Sequence, residues 1–339
     1  MQTFFHAEQR RHHPRLYFSR GKLREPQEVP TRLDGLLGAV RRLGFEVRTP
    51  PDSGLAAIRA VHHLPYLRFL ESAHRRWTAL GDDWGDEVMS NVFVRSPNAL
   101  RGVLAEAGRY LADGSAPIGE ATWDSAYWAA QSAIAGADAL NNGARQAYAL
   151  TRPPGHHARA DAAGGFCFLN NTAIAAQHLT ARYPRVVVLD TDMHHGQGVQ
   201  EIFYDRDDVM YISIHGDTTN FYPAVTGFED ERGHGAGEGY NLNLPIPHGS
   251  PEAVFFERLD EACQALRLFE PDAVVLALGF DIHEQDPQAK VAVSTPGFGK
   301  LGRVVADLDL PTLVVQEGGY YLEGLEANAV SFFEGLTQG

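Results

Sequence analysis

Short apolar runs, broken by polar and glycine-rich stretches, organise most of the chain. Residues 185–190 (RVVVLD), 209–214 (VMYISI), 273–278 (AVVLAL) and 313–315 (LVV) are rich in branched side chains, and polar or glycine residues follow each. That pattern predicts buried strands, and 147–150 (AYAL) reads the same way. Between them the apolar spacing turns helical over 171–182 and over 251–269, where Pro251 follows the cap candidate Ser250. Residues 31–43 near the N-terminus read as a helix as well. Strands alternating with helices imply an α/β fold whose mostly parallel sheet is covered on both faces.

One stretch breaks the rhythm. Residues 76–123 hold Trp77, Trp84 and Trp123 and mix glycine, proline and acidic residues without a clean period. A loop this long belongs to function or to an interface. No linker divides the chain, so a single domain over 1–339 carrying this insertion is expected. The segment 232–239 (RGHGAGEG) misses the GxGxxG spacing and reads as a flexible surface turn.

Composition narrows the functional classes. The 29 Lys and Arg set against 43 Asp and Glu leave a net charge of −14, which excludes nucleic acid and anionic membrane as partners and favours a cationic ligand. No apolar run approaches the length of a membrane span and the N-terminus has no signal-like apolar core, so a cytoplasmic protein is expected. The two cysteines, Cys167 and Cys263, sit in apolar surroundings, so any metal must be held by histidine and carboxylate. Eight of the 15 histidines fall in adjacent pairs, at 12–13, 62–63, 156–157 and 194–195.

In an open parallel sheet ligands gather beyond the carboxyl ends of the strands. Five apolar runs are followed there by reactive side chains: TRPPGHH at 151–157, DTDMHHG at 190–196, SIHGD at 213–217, GFD at 279–281 and EGGY at 317–320. Asp190, Asp192 and His194 are spaced two apart, so all three can face one side. With Asp281 from another strand end, Asp192 and His194 make three protein ligands and leave a position open, as a catalytic zinc site requires; ferrous iron accepts the same donors. Asp190 is then free to bind another cation or a ring N–H, and His195 should point away. Alone, DxDxH reads as a solvated turn; its company of His156, His157 and Asp281 argues for a site. Two prolines and a glycine restrain His156 and His157, which can divide into a neutral base and a cationic acid. Residues 164–168 (GGFCF) suit a narrow apolar pocket, and either Tyr320 or Tyr321 supplies a hydroxyl to a developing oxyanion.

Taken together, RPPGHH (152–157), GGFCFLNN (164–171), DTDMHHGQG (190–198), LGFD (278–281) and EGGY (317–320), with VHHLPYLRFLE (61–71), resemble the histone deacetylase superfamily. EQDP at 284–287 and the 76–123 insertion make the chain most similar to its bacterial acetylpolyamine amidohydrolases. The resemblance implies an arginase/deacetylase-like fold with an eight-stranded sheet, and zinc-dependent hydrolysis of N-acetylated polyamines and diamines of the acetylputrescine, acetylcadaverine and acetylspermidine type. It assigns zinc to Asp192, His194 and Asp281, the base to His157, its partner to His156 and the oxyanion donor to Tyr320. It assigns structural potassium to Asp190, Ser213, the Ile214 carbonyl and the carbonyls of Asp192 and His194. It sets Gly165, Phe166 and Tyr222 along the acyl chain, and gives the insertion a homodimer contact and the active-site mouth. Gln197 stands where relatives commonly carry Asn or Asp, so the partner of His157 is neutral. Glu106, Asp113 and Glu120 are the carboxylates in the segment where a distal ammonium would be held. Two other chemistries share these features: deacetylation of acetyl-lysine proteins, and, from DIH at 281–283, an arginase-like two-manganese ureohydrolase. A catalytically silent binding protein is the third alternative.

Overall fold

Each of the predicted apolar runs forms a strand, and the reason lies in how its alternate side chains are used. In the computed structural model, which describes residues 1–95 and 99–338, Val186 and Val188 belong to one hydrophobic cluster while Val187 and Leu189 belong to a second. Tyr148 and Leu150 divide from Ala147 and Ala149 in the same way, and Val314 from Leu313 and Val315. A strand with both faces covered must be apolar throughout, so it reads as a continuous run.

The sheet has eight strands, numbered here along the chain: β1 (Gln2–Phe4), β2 (Glu46–Arg48), β3 (Gln146–Ala149), β4 (Val186–Asp190), β5 (Val209–Gly216), β6 (Asn241–Ile246), β7 (Ala273–Leu278) and β8 (Thr312–Gln316). Their order is β2-β1-β3-β8-β7-β4-β5-β6, and every pair is parallel. The register sets Asp190 beside Ser213 and Ala277, and Gln316 beside Leu278. This is the α/β architecture expected, with helices on both faces.

One helical layer comprises Leu64–Thr78, Thr122–Asn141 and Asn171–Leu179; the other comprises Arg32–Arg42, Glu252–Phe269, Thr295–Ala306 and Leu322–Thr337. The helix Leu64–Thr78 buries Tyr66, Leu67, Phe69, Leu70, Ala73 and Trp77, a stripe at helical spacing, with Pro65 in its first turn. Thr122–Asn141 instead buries alanines, and Gly136 lies where a Cβ would come within 2.6 Å of a Leu313 methyl, so this helix seats closely on β8. The predicted helices 171–182, 251–269 and 31–43 are each shortened at their ends. Ser250 caps nothing: Pro251 is the cap residue, and the Ser250 hydroxyl donates to the Pro247 carbonyl. Among the described residues, no helix is long and apolar enough to cross a membrane.

The 76–123 segment differs from its expected form. Its ends belong to the helices Leu64–Thr78 and Thr122–Asn141, and a further helix, Val103–Tyr110, lies inside it. Trp77 is buried and meets Trp84 edge-on at 4.7 Å, while Trp123 packs on Tyr127. Trp77 is thus accounted for by packing within the chain, while Trp84 and Trp123 stay partly exposed. The part of the insertion at 96–98 lies outside the described residues. The 232–239 turn is also better packed than expected: Gly237 is buried, and a Cβ there would meet the Tyr204 carbonyl at 2.3 Å.

Candidate active site

The five strands whose carboxyl ends carry reactive residues, β3, β8, β7, β4 and β5, are consecutive in the sheet. This adjacency gathers side chains from 156 to 320 at one place. At its centre Asp192, His194 and Asp281 are buried, with ligand atoms all within 4.8 Å of one another, and among the described residues they are the group close enough to hold an ion. His194 Nδ1 lies 3.0 Å from Asp281 Oδ2 and 3.4 Å from Asp192 Oδ1. The Gly318 amide donates to Asp192 and the Met193 amide to Asp281, which fixes both carboxylates.

The electrostatics show that this cluster calls for positive charge. Burial pushes the Asp281 carboxyl up, and the neighbouring Asp192 pushes it further, to about 7. Burial opposes ionisation of His194, yet the two carboxylates outweigh it and raise the ring to about 9. Asp192 is held below the usual carboxylate range: burial acts against this, but His156 and His194 prevail. Protons therefore gather on the group where two acids and a ring share one small volume. A divalent cation supplies the same charge with better geometry, so these donors fit a metal of the kind that takes oxygen and nitrogen ligands.

Beside the cluster, the rings of His156 and His157 lie 4.0 Å apart and titrate in opposite directions. Burial would lower His156, but Asp190, Asp192 and Glu317 overcome it and raise the ring to about 10. His156 Nδ1 lies 2.9 Å from Asp190 Oδ2, which also accepts from the Tyr211 hydroxyl. His157 is pushed well below its ordinary value, first by burial and then by the His156 and His194 charges. Its Nδ1 lies 2.6 Å from the Gln197 side-chain oxygen. His195 turns away from the cluster toward Gln200, and Ser213 contacts His215, next along β5 to Ile214.

A cavity of about 610 Å³ opens onto His157, His194 and Tyr320 and is walled by Gly165, Phe166, Phe221 and Tyr222. Gly165 (φ +54°) and Phe166 (φ +69°) both adopt left-handed backbone, and a Cβ on Gly165 would lie 2.4 Å from the His157 ring. Only glycine fits the first position; Phe166 bears the strain of the second. Phe221 stacks on His194 at 4.8 Å. Of the two tyrosines left open by the sequence, Tyr320 faces the cavity while Tyr321 stacks on His283 at 5.2 Å. Burial pushes the Tyr320 hydroxyl well up, so it stays a donor. His283, the residue that suggested a second metal, thus lies against Tyr321 instead of joining the cluster. Among the three acidic candidates, Glu106 pairs with Arg76, Glu120 is exposed, and Asp113 alone lines the cavity.

Sequence reasoning missed the frame behind these groups. Arg32, fully buried, donates to the Gly319 and Glu317 carbonyls and to Glu28, with its guanidinium 5.0 Å from the centre of the Tyr320 ring. Arg152 donates to the same Glu28 oxygen and to the carbonyls of Gln9 and His12. Glu317 accepts from the Gly155 and His156 amides and from Thr172, and Asp286 accepts from the Tyr320 and Tyr321 amides. Arg152, Glu317 and Asp286 stand inside motifs already quoted, so the signal was present without a role attached. The hairpin of Tyr17–Ser19 and Lys22–Arg24, which brings Tyr17 and Phe18 to the cavity rim beside Phe93, gave no signal. The pairs at 12–13 and 62–63 serve structure: His12 contacts Thr122, and His62 accepts from the Asn170 amide.

Residues 26–336 match the family model described as histone deacetylase domain. An acetylpolyamine amidohydrolase of Burkholderia pseudomallei is 67% identical over 336 residues, spanning 99% of this chain and 98% of its own. A crystal structure of acetylpolyamine aminohydrolase from Burkholderia pseudomallei aligns with a TM-score of 0.98 at 66% identity, covering 99% of this chain and 98% of that one. The HD domain of HDA15 aligns with a TM-score of 0.80 at 26% identity, covering 99% and 88%.

Proposed function

The chain belongs to the histone deacetylase domain family and is a hydrolase acting on amides, and from that premise we propose that it releases acetate from small N-acetylated diamines and polyamines such as acetylputrescine, acetylcadaverine and acetylspermidine. One observation carries the chemistry: two touching histidines, one driven cationic and one driven neutral, flank a buried group of two aspartates and a histidine at the floor of a cavity. Groups whose surroundings push their pKa values apart divide into acid and base.

Asp192, His194 and Asp281 would hold zinc, with ferrous iron as the other metal this donor set accepts. When bound, zinc supplies Lewis acidity to the acyl carbonyl and makes a water acidic near pH ~7. Neutral His157 would take a proton at its Nε2 from the attacking water. Cationic His156, secured by Asp190, is its partner and the proton source for the departing amine. The Tyr320 hydroxyl donates to the oxygen that gains negative charge as the carbonyl is attacked, and the packing against Arg32 keeps the ring in place. Asp190, Ser213, the Ile214 carbonyl and the carbonyls of Asp192 and His194 would hold potassium, which would supply positive charge beside the turn that follows β4. Phe166 and Tyr222 border the extended aliphatic chain, and Gly165 admits it close to His157. A net charge of −14 draws a cationic amine. The buried free thiols of Cys167 and Cys263 suit the reducing cytoplasm. The insertion and the hairpin of Tyr17–Ser19 and Lys22–Arg24 together form the mouth and a homodimer contact within one domain over 1–339.

The decisive measurement is turnover of acetylputrescine, acetylcadaverine, acetylspermidine and an acetyl-lysine peptide side by side, before and after chelation and zinc restoration. Faster turnover of the peptide would overturn the substrate class. Activity that survives complete metal removal would overturn the metal.

A further inference from the structure

Asp113 follows the helix Val103–Tyr110, and its carboxylate is occupied by its own chain. Oδ1 accepts from the Ser115 amide at 2.7 Å and hydroxyl at 2.5 Å; Oδ2 accepts from the Gly165 amide at 3.1 Å and the Tyr222 hydroxyl at 2.7 Å. The Tyr222 oxygen in turn lies 3.0 Å from the Gln197 side-chain nitrogen, and the Gln197 oxygen lies 2.6 Å from His157 Nδ1. Four side chains thus form one unbranched path from the cavity wall to the ring beside the metal-ligand cluster.

We propose that Asp113 is a positioning residue which, through Tyr222 and Gln197, sets the tautomer of His157. The inference rests on His157 being the base. A carboxylate has no proton to give, so the Tyr222 hydroxyl must donate to Asp113 and keeps only lone pairs for its other neighbour. The Gln197 group facing those lone pairs must then be its NH₂. That choice turns the Gln197 carbonyl toward His157, which can meet it only with an N–H at Nδ1. Nε2 is left unprotonated and free to accept a proton in the cavity. A carboxylate at 197 would need no such help, being an acceptor on every side. An amide rotated by half a turn instead offers N–H to the ring and favours the opposite tautomer, which leaves the base without its lone pair. The path through Tyr222 to Asp113 is what denies Gln197 that rotation.

The test uses the zinc-loaded full chain with Asp113→Ala, Tyr222→Phe and the double variant. Ring ¹⁵N spectra of His157 report the tautomer directly. kcat and KM are measured for acetylputrescine and for an uncharged N-acetyl amide of equal length. Both single variants should lose the Nδ1–H signature and about tenfold or more in kcat on both substrates, with little change in KM. The double variant should be no worse than either single one, because both cut the same path. Tyr222→Phe is nearly isosteric, so the test survives a folding defect in Asp113→Ala. An unchanged His157 spectrum in both variants overturns the proposal. So does a KM increase confined to acetylputrescine with kcat intact, which would make Asp113 an ammonium ligand. Should His157→Ala remain active, the base lies elsewhere, yet the spectra still decide the relay, so the two readings fail separately.

Discussion

Adding one methyl group at Gly318 should weaken metal binding by Asp192, His194 and Asp281 while leaving the fold nearly whole. Gly318 does not use left-handed backbone, so alanine brings no conformational penalty there. Its Cβ, however, would lie 2.6 Å from Asp192 Oδ2 and 2.8 Å from Asp281 Oδ2, where ordinary contact begins at 3.4 Å. The two oxygens must retreat by roughly 0.8 and 0.6 Å, beyond the ~0.5 Å within which ligands have to be held. Two of three donors are disturbed together, so zinc affinity should fall about 10–100-fold, or roughly 1.4–2.7 kcal/mol. Crowding itself should cost the metal-free protein about 1–3 kcal/mol. Competition against a chelator of known affinity measures the first effect, and thermal melting of the metal-free protein measures the second. Gly299→Ala is the control: its Cβ would crowd the Ser331 hydroxyl at 2.9 Å between the helices Thr295–Ala306 and Leu322–Thr337, so it should lower stability with zinc affinity unchanged. A Gly318→Ala protein that binds zinc within twofold of the parent would refute the assignment of metal to Asp192 and Asp281.

Tyr320→Phe should lower kcat by about 10²-fold or more with a modest change in KM, as the proposed oxyanion donor acts in the transition state; near-parental kcat would dismiss Tyr320 from that role. Acid should destabilise the protein through two buried rings. Burial first, and Arg152 after it, lower His12 to about 3, and burial lowers His62 to about 4. Both rings are neutral when folded and bind protons on unfolding below their ordinary 6.5, so their stabilising effect is complete above that pH and is lost as pH falls toward 4 and then 3. Each should cost about 2 kcal/mol between pH 6.5 and pH 5, and urea unfolding of His12→Gln should show a shallower acid slope than the parent. Sedimentation should find a dimer at micromolar concentration, because Phe93 and Phe18 stay 63% and 49% exposed on the cavity rim; Phe93→Asp should yield monomer, and a parental monomer would dismiss the interface.

How much the sequence disclosed depended on how many neighbours a residue needs for its role to be legible. Strands β4, β5, β7 and β8 were readable because burial on both faces leaves an unbroken apolar run, whereas β1 and β2 have three residues each and carry no such signal. Asp192 and His194 declared themselves through local spacing, and Asp281 through its position after an apolar strand. Arg32 did not, because its partners Glu317 and Gly319 lie 285 and 287 residues away, and nothing local distinguishes a buried arginine from a solvated one. The tryptophans of 76–123 pose the opposite case: aromatic content is visible in the sequence, but not that Trp77 and Trp84 meet edge-on. Tyr320 and Tyr321 are inseparable by sequence; Tyr321 stacks on His283, and Tyr320 is the ring that faces the cavity.

The order of strands bears on how the protein is made. A ribosome completes β8 last, yet β8 belongs in the middle of the sheet, between β3 and β7. Without it the remaining strands divide into two half-sheets, β2-β1-β3 and β7-β4-β5-β6, each with an edge that β8 would have paired. Chain-long pairing of this kind is slow, and such edges are where newly made protein aggregates or requires a chaperone. Glu317, which clamps the amides of Gly155 and His156, arrives on the same strand end. The scaffold of the catalytic centre and the closure of the sheet are therefore completed together, when β8 pairs with β3 and β7.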